Sequence, residues 1–114
     1  MTPDSPQILE RYREIVAVTT AMLNAARTGD WNSVLRFGHA YCDAVERLRA
    51  LGGPAVMDDH ERQQKYDMLV QILENDAHTR DLAMPELARM SELLGNMKRQ
   101  QGMVSAYGSE AGSA

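Results

Sequence analysis

Ile8, Tyr12, Ile15, Thr19, Met22 and Ala26 recur at alternating intervals of four and three residues, which places them on one face of an α-helix. Leu9, Val16 and Leu23 widen that face. Ser5 followed by Pro6 reads as an N-cap with proline at the first helical position, where its missing N–H costs nothing. Arg27-Thr28-Gly29 closes the helix, because glycine adopts the left-handed conformation that ends helices. Asp30 then caps a second helix with apolar positions Trp31, Val34, Leu35, Tyr41, Cys42, Val45, Leu48 and Leu51. A connection as short as Gly29-Asp30 forces the two helices to turn back on each other.

Gly52-Gly53-Pro54 ends the second helix, and Asp58 or Asp59 can cap a third. The inward stripe of the third helix reads Tyr66 or Met68, then Leu69, Ile72, Leu73, Asp76, Thr79 and Leu82. Pro85 would lose a hydrogen bond and clash with the preceding turn inside a helix, so it ends or sharply kinks the third helix and begins a fourth. Leu87, Met90, Leu94, Met97 and Val104 follow at coiled-coil spacing, broken by Gln101. No segment shows sustained period-two alternation. The expectation is an all-α, antiparallel four-helix bundle with helices over about 6–28, 31–51, 59–83 and 86–107. It makes a single helical-bundle domain over 1–114, with 108–114 as a disordered tail. The alternative left open by Pro85 is three helices, the last long and bent.

The chain has 114 residues and a net charge of −4, and that charge is confined to one stretch. Residues 54–84 carry three basic against seven acidic side chains, whereas every other segment is balanced. A nucleic-acid binder needs a basic face to release counterions, and the densest basic spot is Lys98-Arg99, so direct nucleic-acid binding is disfavoured. The longest uncharged stretch, Ile15 to Ala26, has 12 residues, too few for the ~20 that span a bilayer. With no export signal at Met1-Thr2-Pro3-Asp4 and a single cysteine, Cys42, the expectation is a cytoplasmic protein without an intrachain disulfide.

Catalytic and metal chemistry find little support. His39 and Cys42 lie three apart on a helix, but a structural zinc site needs four such ligands and no second Cys exists. Asp58-Asp59-His60-Glu61 is explained by capping. No Glu has His three residues later, as a di-iron bundle requires, and phosphate loops and nucleophile elbows are missing. Neither enzyme activity, cofactor nor metal is therefore expected. Asp76 on an apolar stripe calls for a partner: Arg80 one turn later, or a tyrosine hydroxyl from Tyr12 or Tyr41. Met68, Met84, Met90, Met97 and Met103 crowd the second half of the chain, where adaptable side chains suit either a core or a surface that repacks around a client.

The run Tyr12 to Leu48, centred on Met22-Leu23-Asn24-Ala25-Ala26-Arg27-Thr28-Gly29-Asp30-Trp31, resembles the first helical hairpin of the flagellar export chaperone FliT family. Ile72-Leu73-Glu74-Asn75-Asp76-Ala77-His78-Thr79-Arg80, Pro85-Glu86-Leu87-Ala88-Arg89 and Val104-Ser105-Ala106-Tyr107-Gly108 are similar to later signatures of that family. Phe37-Gly38-His39 and Glu86 depart from its pattern. The resemblance implies a cytoplasmic, non-enzymatic chaperone of the flagellar type III export system, whose client is the C-terminal segment of the filament-cap protein (FliD type). Members can also engage the export ATPase and the flagellar master transcription regulator. The resemblance further implies an autoinhibitory C-terminal helix, here carried by Leu87, Met90, Leu94, Met97 and Val104. An amphipathic client would lie in a groove between helices, for which the candidates are Tyr41, Val45 and Leu48 with Leu69, Ile72 and Leu73. Without client, exposed apolar area favours a homodimer. The competing readings are a four-helix regulatory or scaffold module with an unrelated partner, and a small enzyme.

Overall fold

The computed structural model describes residues 4–52 and 56–112, with side chains described as far as 105. Three helices are present among them: α1 (Ser5–Arg27), α2 (Trp31–Ala50) and α3 (Asp59–Gly112). No strand occurs among the described residues, so the all-α expectation holds. The expected count of four helices does not, because 59–83 and 86–107 belong to one α3 that runs through Pro85. A proline removes one helical hydrogen bond, here the one to the carbonyl of Asp81, and crowds the preceding turn. Both residues are exposed, so water can serve that carbonyl. Leu82-Ala83-Met84 before and Glu86-Leu87-Ala88-Arg89 after are strong helix formers that carry the helix across the lost bond. The helix also includes residues 108–112, expected as tail, while 113–114 lie outside the described residues.

Contacts divide the chain into two units, Met1–Leu82 and Ala83–Ala114. In the first unit, α1 is capped by Asp4 rather than by the expected Ser5. The Asp4 carboxylate accepts from the Gln7 N–H at 2.9 Å, and the Gln7 side chain accepts from the Asp4 N–H at 3.2 Å. This reciprocal box needs Glu or Gln three residues after the cap, a partner that Asp4 has and Ser5 lacks. The Ser5 hydroxyl is thereby free to donate to the Val56 carbonyl at 2.8 Å, tying the start of α1 to the segment before α3.

The turn between α1 and α2 follows the expected chemistry. Gly29 takes φ +74°, the Asp30 N–H reaches the Ala25 carbonyl at 2.9 Å, and the Gly29 N–H reaches that of Ala26 at 3.1 Å. These are the two bonds of a Schellman ending. Asp30 caps α2 by accepting from the Ser33 N–H at 3.2 Å and from its hydroxyl at 2.6 Å. Asp58 caps α3 in a second reciprocal box with Glu61.

Helix α1 is the most enclosed element, burying Ile8, Leu9, Ile15, Met22, Leu23, Ala25 and Ala26. The centre of the core joins all three helices at Ile15, Ala44 and Ile72, with Tyr12, Val16, Tyr41, Val45 and Leu48 packed around them. On α2 the deepest residue is Ala44, while Leu35 and Cys42, expected inside, are exposed. An alanine at this crossing lets the α1 and α2 backbones approach closely, a role that apolar periodicity alone does not distinguish.

The second unit, taken by itself, is the helical stretch after Leu82. Its Met84, Leu87, Met90, Leu93, Leu94, Met97, Met103 and Val104 are all exposed.

Because Pro85 is tolerated rather than required by the helix, Pro85→Ala is expected to slow amide exchange at Leu87, Ala88 and Arg89 by tenfold or more. An interior proline costs ~3 kcal/mol. Exchange rates unchanged from wild type would show that the missing bond is not limiting local opening.

Candidate functional site

The six residues expected to line a groove are divided by the structure into two sets. Tyr41, Val45 and Leu48 of α2 are half-buried and pack on the Ile15–Ala44–Ile72 centre, so Ile72 joins them inside. Leu69 and Leu73 lie outside, 38% and 57% exposed. Tyr66 is exposed as well, and with Leu69 and Leu73 at spacings of three and four it forms an outward apolar stripe on α3. The line of α3 that turns inward is Met68, Ile72, Asn75 and Thr79, so the expected inward stripe through Leu69, Leu73, Asp76 and Leu82 is displaced around the helix.

Asn75 lies on that inward line and is the residue that periodicity missed. It is 4% exposed, and its amide nitrogen donates to the hydroxyls of Thr19 at 3.2 Å and Thr20 at 3.0 Å on α1. Its amide oxygen accepts from Gln71 at 2.9 Å, and its backbone carbonyl accepts from the Thr79 hydroxyl at 2.8 Å. Thr19 is fully buried and donates to the Ile15 carbonyl at 2.8 Å, leaving an oxygen lone pair for Asn75. No buried side-chain polar atom among the described residues lacks a partner. A complete network of this kind adds about 1 kcal/mol per bond, whereas a stranded buried amide would cost ~1–3 kcal/mol. The available signal was Thr19 on the apolar line of α1, which announces a polar partner without naming it.

Asp76 and Arg80 pair as anticipated, at 2.6 Å, with the carboxylate largely covered and the guanidinium exposed. Tyr41 is their neighbour. Burial pushes its phenol above the ordinary value, and the Asp76 carboxylate adds to the shift. Burial also raises Tyr12, over whose ring the Lys65 ammonium sits at 5.9 Å. Between α1 and α2, Glu14 links Arg11 at 2.7 Å and Arg47 at 3.3 Å.

Open recesses lie elsewhere on the first unit, one on α2 lined by Tyr41, Cys42, Val45, Glu46 and Arg49, another lined by Leu23, Arg27, His78, Asp81 and Leu82. Among the described residues no three His, Cys, Asp or Glu side chains gather as a metal site requires, and His39 and Cys42 are both exposed. In the second unit Leu87, Met90, Leu94, Met97 and Val104 share the exposed surface of one helix, where Met97 and Val104 flank a recess with Gln100 and Gln101.

The first unit is thus a helical hairpin completed by a third helix, with apolar side chains left on its outer surface. None of the helices described is long and apolar enough to cross a membrane. The chain belongs to the FliT family of flagellar proteins: the family profile described as "Flagellar protein FliT" matches residues 9–109. The crystal structure of flagellar protein FliT from Bordetella bronchiseptica is similar, with a TM-score of 0.69 and 49% identity, covering 75% of this chain and 97% of that one. Flagellar protein FliT of Serratia proteamaculans is 29% identical over 102 residues, 90% of this chain and 84% of its own length. That of Escherichia coli O6:K15:H31 is 24% identical over 109 residues, 96% of this chain and 90% of its own.

The raised phenols make alkaline stability a measurable property of this core. A folded-state value above the ordinary 10.0 means that both groups contribute stability in full below pH 10, lost as pH rises through their folded values. The double variant Tyr12→Phe/Tyr41→Phe is expected to lose two late steps from the phenolate absorbance titration and to retain helicity to higher pH than wild type. Coincident alkaline unfolding of the two proteins by circular dichroism would contradict this.

Proposed function

We propose that this chain is a cytoplasmic flagellar type III export chaperone, without enzymatic activity, which binds the C-terminal segment of the filament-cap protein (FliD type). Binding prevents premature assembly of that client and presents it for export. The observation that carries the reading is the Tyr66–Leu69–Leu73 stripe, exposed on α3 in a chain of the FliT family. An amphipathic client helix lays its own i, i+3, i+4 residues along Leu69 and Leu73. Ile72 holds this wall of α3 to Tyr41, Val45 and Leu48, whose half-exposed sides extend the apolar surface onto α2. Two leucines and a tyrosine supply only a few kcal/mol of burial against the cost of association, so a client must engage several turns of helix.

Residues 83–112 serve in this reading as a regulatory segment, with Leu87, Met90, Leu94, Met97 and Val104 as the autoinhibitory side chains. In the absence of client the protein forms a homodimer. The export ATPase and the flagellar master transcription regulator are further partners, engaged through protein contacts and without direct nucleic-acid binding.

Calorimetric titration with the filament-cap C-terminal segment tests the reading. Leu73→Ser, at an exposed position, is expected to weaken binding about tenfold at an unchanged melting temperature. Deletion of residues 96–114 is expected to leave a folded first unit and to tighten binding. A segment that fails to bind wild type and truncation alike, while another protein co-purifies, would favour an unrelated scaffold role.

A further inference from the structure

The line of α3 buried in the first unit is not its most apolar one. Met68, Ile72, Asn75 and Thr79 face inward, while Leu69 and Leu73 remain outside. Successive helical residues are separated by about 100° around the axis, so a rotation of less than one residue step would bring Leu69, Ile72 and Leu73 inward together. Apolar burial alone favours the rotated arrangement near these leucines.

Two polar groups oppose it. Rotation would carry Asp76, 18% exposed at its side chain and paired with Arg80, to the centre of the inward line. It would also withdraw Asn75 from Thr19 and Thr20, 3.2 and 3.0 Å away. The geometry points to Asn75 as a positioning residue whose bonds to α1 select the rotational register of α3 and thereby keep Leu69 and Leu73 on the surface. The Thr19 acceptor is oriented by α1 itself, since its hydroxyl donates to the Ile15 carbonyl. Gln71 occupies the amide oxygen of Asn75, so the two amide N–H groups are the ones aimed at α1. A single buried asparagine sets register in helical assemblies generally, because its bonds are satisfied in one alignment only. The consequence for a client rests on the function proposed above. The register does not, so the two ideas fail separately.

The test uses the full chain in a Cys42→Ser background, with a cysteine placed at Leu73 or at Ile72 and its thiol labelling rate measured without any client. Labelling is expected to be fast at 73 and slow at 72. Asp76→Leu makes the rotated register apolar, yet with Asn75 present the rates should be retained. Asn75→Ala added to Asp76→Leu should then slow labelling at 73 tenfold or more relative to 72, with a cooperative melt preserved. Thr19→Val/Thr20→Val, which removes the acceptors instead, should reproduce the effect in the same Asp76→Leu protein. Unchanged rates in both combined variants would overturn the proposal, because the remaining packing then sets the register. A shift with Asp76→Leu alone would assign the role to Asp76. Loss of cooperative melting in both combined variants would also overturn it, showing that the bonds are needed for any fold rather than for a choice between two.

Discussion

The hydroxyl of Thr19 stands where α1 meets α3, donating to Ile15 one turn earlier and accepting from Asn75 across the interface. Around it the core is thin. The cluster that joins all three helices has Ile15, Ala44 and Ile72 as its buried members, and the aromatic side chains nearby are only half-buried. In a core of many large side chains, shape would leave one polar pair little influence. Here apolar contact brings α3 to the hairpin, and the directional bonds of Asn75 decide which way it faces.

The hairpin was legible because local chemistry and periodicity agree there. Gly29 and Asp30 each have a function that few other residues could perform, and the α1 stripe from Ile8 to Ala26 is buried as its spacing requires. The start of α1 was readable one residue earlier than expected, since Gln7 completes a box with Asp4 and with no other candidate. Pro85 does not end α3 because helix formers stand on either side of it. A ~3 kcal/mol penalty breaks an isolated marginal helix, but it need not break one whose neighbouring turns all favour continuation.

The surface was harder to read than the fold. Apolarity marks Leu69 and Leu73 as groove residues, and the structure leaves them exposed; it marks Tyr41, Val45, Leu48 and Ile72 equally, and they are packed together. Hydrophobicity does not separate the two outcomes, because a stripe kept for a partner and a stripe kept for the core have the same composition. What separates them is the polar residue on the competing line. Asn75 is absent from the apolar spacing of α3, and its meaning depends on two threonines more than fifty positions away.

An exposed apolar stripe also has to be kept from indiscriminate association, and the charge distribution bears on this. The stretch 54–84, which contains Tyr66, Leu69 and Leu73, carries the whole net charge of −4. Asp67, Glu74 and Asp81 recur there at seven-residue spacing on the exposed surface of α3, so one side of the helix is acidic between 67 and 81. Like charges on approaching copies repel over about a Debye length, ~8 Å at physiological salt, and discourage loose contacts without blocking a partner that docks in close register. Acid on one line of α3, leucine on the next and a hydrogen-bonded asparagine on the third give the helix three faces with separate tasks. The balance among them depends on rotation about the helix axis, the coordinate that the Thr19–Asn75 contact restrains.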